Sequence, residues 1–216
     1  MTPKNDYFAD RLLVKLDQAD PVYAAFEAQD VSRDVGFDFN SFQDVVPRAL
    51  DEIRETKEAY HEKGPDAKEH FGDEIADIMF SIINLARHAG IRDLPTIKSQ
   101  IEKVSQDDSK EVDTITMING IGTLIEEASV VASENPEDTK KAAQELFKKG
   151  MRDCIILSQN NDFNPEDLLR ENVRKYLIRC QAIEKLALSD NKLWDDLARN
   201  NEIVKYWKKA KTITNN

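Results

Sequence analysis

The sequence predicts an all-α protein built as an antiparallel helical bundle, and three observations carry that prediction. Gly and Pro contribute only 7 residues each to a chain of 216, too few turn formers for a many-stranded β protein. Apolar residues recur at about every third or fourth position through most of the chain, the period of helices with one buried face. Three dipeptides, Asp20-Pro21, Asn135-Pro136 and Asn164-Pro165, place a capping side chain before a proline that suits the first helical position. The last two are followed by Glu137-Asp138 and Glu166-Asp167, acids where the helix dipole favours them.

Helices are therefore expected to start near 21, 136 and 165. Gly36 and residues 37–40 separate the first from a pattern running through Val45, Val46, Ala49, Leu50 and Ile53 to about Glu62, ended by Gly64-Pro65. Pro47 lies inside it, which predicts either a regular helix beginning near Val46 or a kink. The most apolar helix is expected from about Asp66 to Ala89, closed by Gly90, with Phe71, Ile75, Ile78, Met79, Ile82, Ile83 and Ala86 toward the core. A short helix follows Pro95. Another runs from about Asp113 to Ser133, weakened by Gly120 and Gly122, and a further one from 136 to about 160. Ile115, Ile118, Leu124, Ile125, Leu146, Ile155, Ile156 and Leu157 are their candidate core contacts. The helix from 165 continues through Leu169, Val173, Tyr176, Leu177, Cys180 and Ile183, and a terminal helix carries Ile203, Val204, Tyr206 and Trp207. The rhythm helix, short turn, helix, short turn, helix recurs at 41–107 and 113–185, a likeness that bundles show with or without duplication.

Charge narrows the function. With 41 acidic against 30 basic residues the formal net charge is -11, which argues against a protein that tracks nucleic-acid phosphates. A polyanionic substrate would need a cation as go-between. No apolar run of about eighteen residues is available to span a bilayer, and Met1 to Leu12 mixes charges too freely for a signal peptide, so the expectation is a cytoplasmic protein with no membrane association. Cys154 and Cys180 sit in apolar helical patterns without metal-site or redox spacing, and read as reduced core residues.

The residues with chemistry are acids. Asp51, Glu52 and Glu55 fall on one helix and Glu74 and Asp77 on the next. A spacing of three puts Glu52 with Glu55, and Glu74 with Asp77, on one helix face. Chance alone gives roughly eight such pairs in a chain this acidic, so a pair by itself carries nothing. Location adds weight: Glu74, Asp77, Ser81, Asn84 and His88 form one narrow polar stripe on the most apolar helix, and acids buried in a bundle must be paired or bound to metal. A stripe facing solvent is the alternative. Carboxylate ligands without Cys select a hard ion, Mg²⁺ or Mn²⁺, over zinc. Glu58 and His61 make one Glu-x-x-His, the unit of di-iron bundles, but those use two such units and the chain has no second.

The residues also resemble a family. Val35-Gly36-Phe37-Asp38-Phe39, Asp51-Glu52-Ile53-Arg54-Glu55, Asp73-Glu74-Ile75-Ala76-Asp77-Ile78-Met79-Phe80 and Ile83-Asn84-Leu85-Ala86-Arg87-His88-Ala89-Gly90, in that order, are similar to the MazG family of all-α nucleoside triphosphate pyrophosphohydrolases. The likeness resumes at Asn164 to Cys180, where Arg174-Lys175-Tyr176-Leu177-Ile178-Arg179 resembles the family's basic helix, and at Tyr206-Trp207-Lys208-Lys209-Ala210-Lys211. It covers 21–92 and 164–212, within a single MazG-like domain spanning 1–216. Asp51 stands where the family has Glu, the second arginine beside Arg179 is missing, and residues 93–163 are an insertion, read as helical and as a possible degenerate second repeat.

The resemblance implies Mg²⁺-dependent hydrolysis of a nucleoside triphosphate to monophosphate and pyrophosphate, with Mn²⁺ as a substitute ion. Glu52, Glu55, Glu74 and Asp77 would hold the metal and Asp51 would be the general base. Lys175 and Arg179 would grip the outer phosphates, with Arg48 and Lys211 as further candidates. Asn84 would meet a sugar hydroxyl or orient a ligand, and Trp207 would stack on the base or anchor packing. The family's paired subunits imply a homodimer, or a dimer-like arrangement within one chain in which the insertion packs on the 41–89 helix pair. The competing class is a non-catalytic, partner-binding helical protein or a decayed relative, whose acids only solubilise a face.

Overall fold

A computed structural model describes residues 8–104, 112–200 and 202–214, and among these it contains helices and no strand. The helices are α1 (Phe8–Leu16), α2 (Pro21–Asp34), α3 (Phe42–His61), α4 (Ala67–His88), α5 (Ile97–Ile101), α6 (Thr114–Glu134), α7 (Thr139–Asn160), α8 (Pro165–Ser189), α9 (Trp194–Arg199) and α10 (Ile203–Thr214). Asp20 and Asn164 cap α2 and α8 as expected, each accepting hydrogen bonds from backbone N–H groups of the first turn. At Asn135 the outcome differs: Pro136–Asp138 is a single 3-10 turn and the α-helix begins at Thr139.

Ser41 starts α3 earlier than the apolar pattern does, by accepting a hydrogen bond from Asp44 N–H. Pro47 therefore lies inside the helix, not at its start. Its ring removes one donor, within the second turn.

The centre is two antiparallel hairpins laid face to face. The hairpin α3–α4 packs on α6–α7, α3 against α6 and α4 against α7. Close approach at both crossings depends on missing side chains: a Cβ on Gly122 would stand 3.2 Å from Ile53 Cγ2, and one on Gly150 would stand 2.9 Å from Ile82 Cδ1. The expected core residues Ile118, Ile125, Leu146, Ile155, Ile156 and Leu157 are buried here, with Ile115 and Leu124 half-buried beside them. Among the described residues, α6 alone is long and apolar enough to cross a membrane; in this fold Met117, Ile118, Ile121, Ile125 and Ala128 of that helix are buried.

The 25-residue α8 packs on the outer side of α4 and carries α1, α2 and α10. Arg170 ties α1 down, its guanidinium donating to the carbonyls of Leu16 and Ala19. Cys154 and Cys180 are free and fully buried, and burial pushes both thiols far up. A polar lock joins the 35–40 loop to the end of α4. Arg87, almost wholly buried, donates to Asp38 and to Asn84 Oδ1 (3.0 Å), and His88 lies 3.2 Å from the other Asp38 oxygen. Burial raises Asp38, but the hydrogen bonds from His88 and Arg87 outweigh it and hold the carboxyl below its usual range.

Candidate metal centre

Glu52 and Glu55 are one turn apart on α3, and the antiparallel α4 places Glu74 opposite them. One carboxylate oxygen from each lies within 4.8 Å of the other two. Glu52 is 3% exposed and Glu74 is 9% exposed, whereas Glu55 is half-exposed at the rim. The buried pair is only half satisfied. Arg48 Nη2 stands 2.5 Å from Glu52 Oε1 and His70 Nε2 stands 3.1 Å from Glu74 Oε1, while Oε2 of both glutamates has no hydrogen-bond partner. Leaving two buried carboxylate oxygens unpaired is costly without something positive between them.

Electrostatics agree. Burial, then the charge of Asp77, raises Glu52 from 4.5 to about 8 against the pull of Arg48. Burial, then Asp77 and Glu55, raises Glu74. Two buried acids that resist ionising, with the Glu55 carboxyl beside them, would take a divalent cation readily, since it replaces the missing protons. Every donor in the group is an oxygen.

Asp77 lies one turn beyond Glu74 and is raised chiefly by burial, with the hydrogen bond from Asn172 Nδ2 (2.7 Å) and the charges of Arg48 and Arg179 pulling it back. It borders the trio through charge. Asp51, expected as general base, is not brought to the cluster: it is exposed, with Arg54 Nε 3.9 Å away. One residue along a helix turns a side chain about 100°, so Asp51 and Glu52 cannot share a face. Glu58 and His61 are likewise exposed, Glu58 in contact with Arg54 at 2.7 Å, and a di-iron pair finds no support there.

The basic candidates fall at three distances. Arg48 touches Glu52. Lys175, on α8, donates to both Asp73 oxygens at 2.7 and 2.6 Å, next to the acidic stripe of α4, and Arg179 one turn on covers the Trp207 ring at 5.8 Å. Lys211 is exposed in the last turn of α10, with no contact to the cluster. Trp207 packs at 5.1 Å from Phe37 and 5.6 Å from Tyr176, an anchor in an aromatic cluster. Asn84 is engaged by Arg87 and belongs to the polar lock.

The acid spacing did not reveal His70. Its ring bridges Glu62 (2.9 Å) and Glu74 (3.1 Å), and the hydrogen bond to Glu62 is the main reason its pKa is raised. The four-residue spacing from Glu74 was the available signal. Asn172 and Asp73 gave none, because their partners lie about a hundred residues away.

No family model, curated protein or solved structure matches the chain.

Proposed function

We propose that the chain hydrolyses a nucleoside triphosphate to the monophosphate and pyrophosphate, using Mg²⁺ or Mn²⁺ held by Glu52, Glu55 and Glu74. The observation that carries this reading is the convergence of three carboxylates from α3 and α4, two of them buried with an unpaired oxygen each. The all-oxygen donor set suits a hard ion, and the ordered resemblance of the surrounding segments to the MazG family supplies the reaction class. When bound, the ion supplies positive charge for the phosphates and acidifies a water.

The chain's own residues divide the remaining work. Glu52, held by Arg48, and Glu74, held by His70, are fixed ligands. Asp77, oriented by Asn172, adds negative charge on the same stripe. Glu55, at the rim, is better placed than Asp51 to accept a proton from an incoming water. Lys175 and Arg179 present cations from α8 along the acidic face of α4 and meet the outer phosphates, Lys175 exchanging Asp73 for phosphate oxygens. Pyrophosphate release from mixed deoxynucleoside triphosphates, measured with and without Mg²⁺, tests the reading. Release that requires the ion is expected; the absence of release with every substrate and either ion would refute it.

A further inference from the structure

The hairpin α6–α7 repeats α3–α4 at a displacement of 72 residues. Ser41 caps α3 by accepting from Asp44 N–H and Asp113 caps α6 by accepting from Thr116 N–H; the helices begin at Phe42 and Thr114. Both turns close onto the next helix, Ala67 N–H to the Gly64 carbonyl and Thr139 N–H to the Pro136 carbonyl. Both second helices have 22 residues. They end on the same two bonds, Gly90 to Arg87 with Ile91 to Ala86, and Asp162 to Gln159 with Phe163 to Ser158. Each pair surrounds a left-handed residue, Gly90 at φ 74° and Asp162 at φ 59°.

Burial keeps the same register. Val45, Val46, Ala49, Ile53 and Thr56 are buried on α3, as are their counterparts Met117, Ile118, Ile121, Ile125 and Ala128 on α6. Every buried residue of α7, from Ala143 to Ser158, has a buried counterpart on α4, from Phe71 to Ala86. Two unrelated amphipathic helices match at several displacements, because the pattern returns each turn. Caps, turn and helix end together select only one.

In that register the ligand positions change character. Glu52 corresponds to Leu124, Glu74 to Leu146 and Asp77 to Lys149; only Glu55 meets an acid, Glu127. Leu146 is buried, so the place of a buried carboxylate is filled with hydrocarbon. Asp153, an acid of α7, corresponds to Ser81 and not to Asp77. Each hairpin helix also lies antiparallel on its own counterpart. On the α3–α6 side Gln43 bonds Ser129 and Ser133, and Lys57 bonds Asn119; on the α4–α7 side Gly72 meets Phe163 and Ile82 meets Gly150. That is the self-matching contact a two-fold axis generates.

We infer that residues 113–163 are a second copy of the 41–91 hairpin that has exchanged its cation site for apolar packing and serves as the first copy's permanent partner, making the chain a one-site monomer. The site is composite, since α8, which follows the second copy, sends Asn172 and Lys175 to α4 of the first. The partner role stands on the caps and the packing; the count of one site rests on the cation reading above. Light scattering on the full chain separates the two, because it needs no metal: a mass of 24.7 kDa is expected, and a dimer at micromolar concentration would overturn the partner role. Mn²⁺ titration followed by electron paramagnetic resonance then addresses the site. Binding by the wild type that is lost in Glu74→Gln supports a single site, and binding that persists in Glu74→Gln at an undiminished second locus overturns it. If the wild type binds no Mn²⁺, the cation reading fails and the mass alone decides the partner role.

Discussion

Glu52 and Glu74 each give one carboxylate oxygen to a cationic neighbour and leave the other unpaired, so the metal-free protein carries stored repulsion at this point. Replacing Glu74 by Gln keeps the shape and removes one charge. Turnover in Glu74→Gln at saturating Mg²⁺ should fall below about a tenth of the wild-type rate, while the unfolding midpoint in EDTA stays level or rises. Activity above that limit in a well-folded variant would remove Glu74 from the ligand set. The pH dependence follows from Glu52, whose carboxyl the fold lifts from 4.5 to about 8. A raised acid is protonated in the folded chain where the unfolded chain has already released its proton. Its contribution is complete below the unfolded value and is lost as pH rises through the folded one. In EDTA the midpoint should drop between about pH 5 and pH 8.5, saturating Mn²⁺ should recover part of the loss, and Glu52→Gln should flatten the slope. A wild-type midpoint in EDTA that does not change over that range would mean Glu52 is ionised throughout. These acids were legible in the sequence because a spacing of three on an apolar helix is local information. The unpaired oxygens were not, since they depend on how two helices cross.

Apolar faces were legible because their period is local: Phe71, Ile75, Ile78, Met79, Ile82, Ile83 and Ala86 are all buried as their spacing predicts. Helix ends were read less evenly, since Asp20-Pro21 and Asn164-Pro165 start helices where expected, whereas Asn135-Pro136 opens a 3-10 turn and Ser41 starts α3 ahead of its apolar pattern. Two elements escaped the apolar pattern. In α1, Ala9, Leu12 and Leu16 are buried, but the helix has only nine residues and also exposes the apolar Val14, which blurs its period; α9 spans only six residues, too short for a period to show. Gly120 and Gly122 look alike in sequence as weak points of α6; packing separates them. A Cβ on Gly120 would meet nothing within 4 Å, so Gly120→Ala should stabilise by about 0.5–1 kcal/mol through helix propensity. Gly72 on α4 is the opposite case, with Phe163 Cε1 at 2.9 Å and Leu168 Cδ2 at 3.1 Å from the added carbon. Gly72→Ala gains the same propensity but must displace a packed ring, and overpacking of about 1–3 kcal/mol should outweigh the gain. Urea denaturation of the two variants should therefore shift in opposite directions, and equal shifts would show that the α7–α8 corner yields without cost.

At the scale of the whole molecule, the all-α class followed from the scarcity of turn formers and the helical period, because both are properties of the entire chain. The packing of the insertion on the 41–89 pair, which the structure shows, was expected from the family resemblance and not from periodicity, which says which face is apolar and not which helix covers it. The polar lock of Asp38, Asn84, Arg87 and His88 shows the same limit: its members are scattered through two segments, and only their meeting at the end of α4 makes a buried arginine tolerable. Because both hairpins of the central bundle belong to one polypeptide, assembling it is a first-order event. A bundle made from two chains loses stability on dilution, since its halves must find each other; here the connection between α4 and α6 keeps the local concentration of one half around the other constant. The thermal midpoint should accordingly stay the same over about a hundredfold dilution, and the refolding rate should be independent of protein concentration. A midpoint that climbs with concentration would reveal association between chains. Even when each cell holds only a handful of copies, every copy would fold and keep its helices paired without waiting for another.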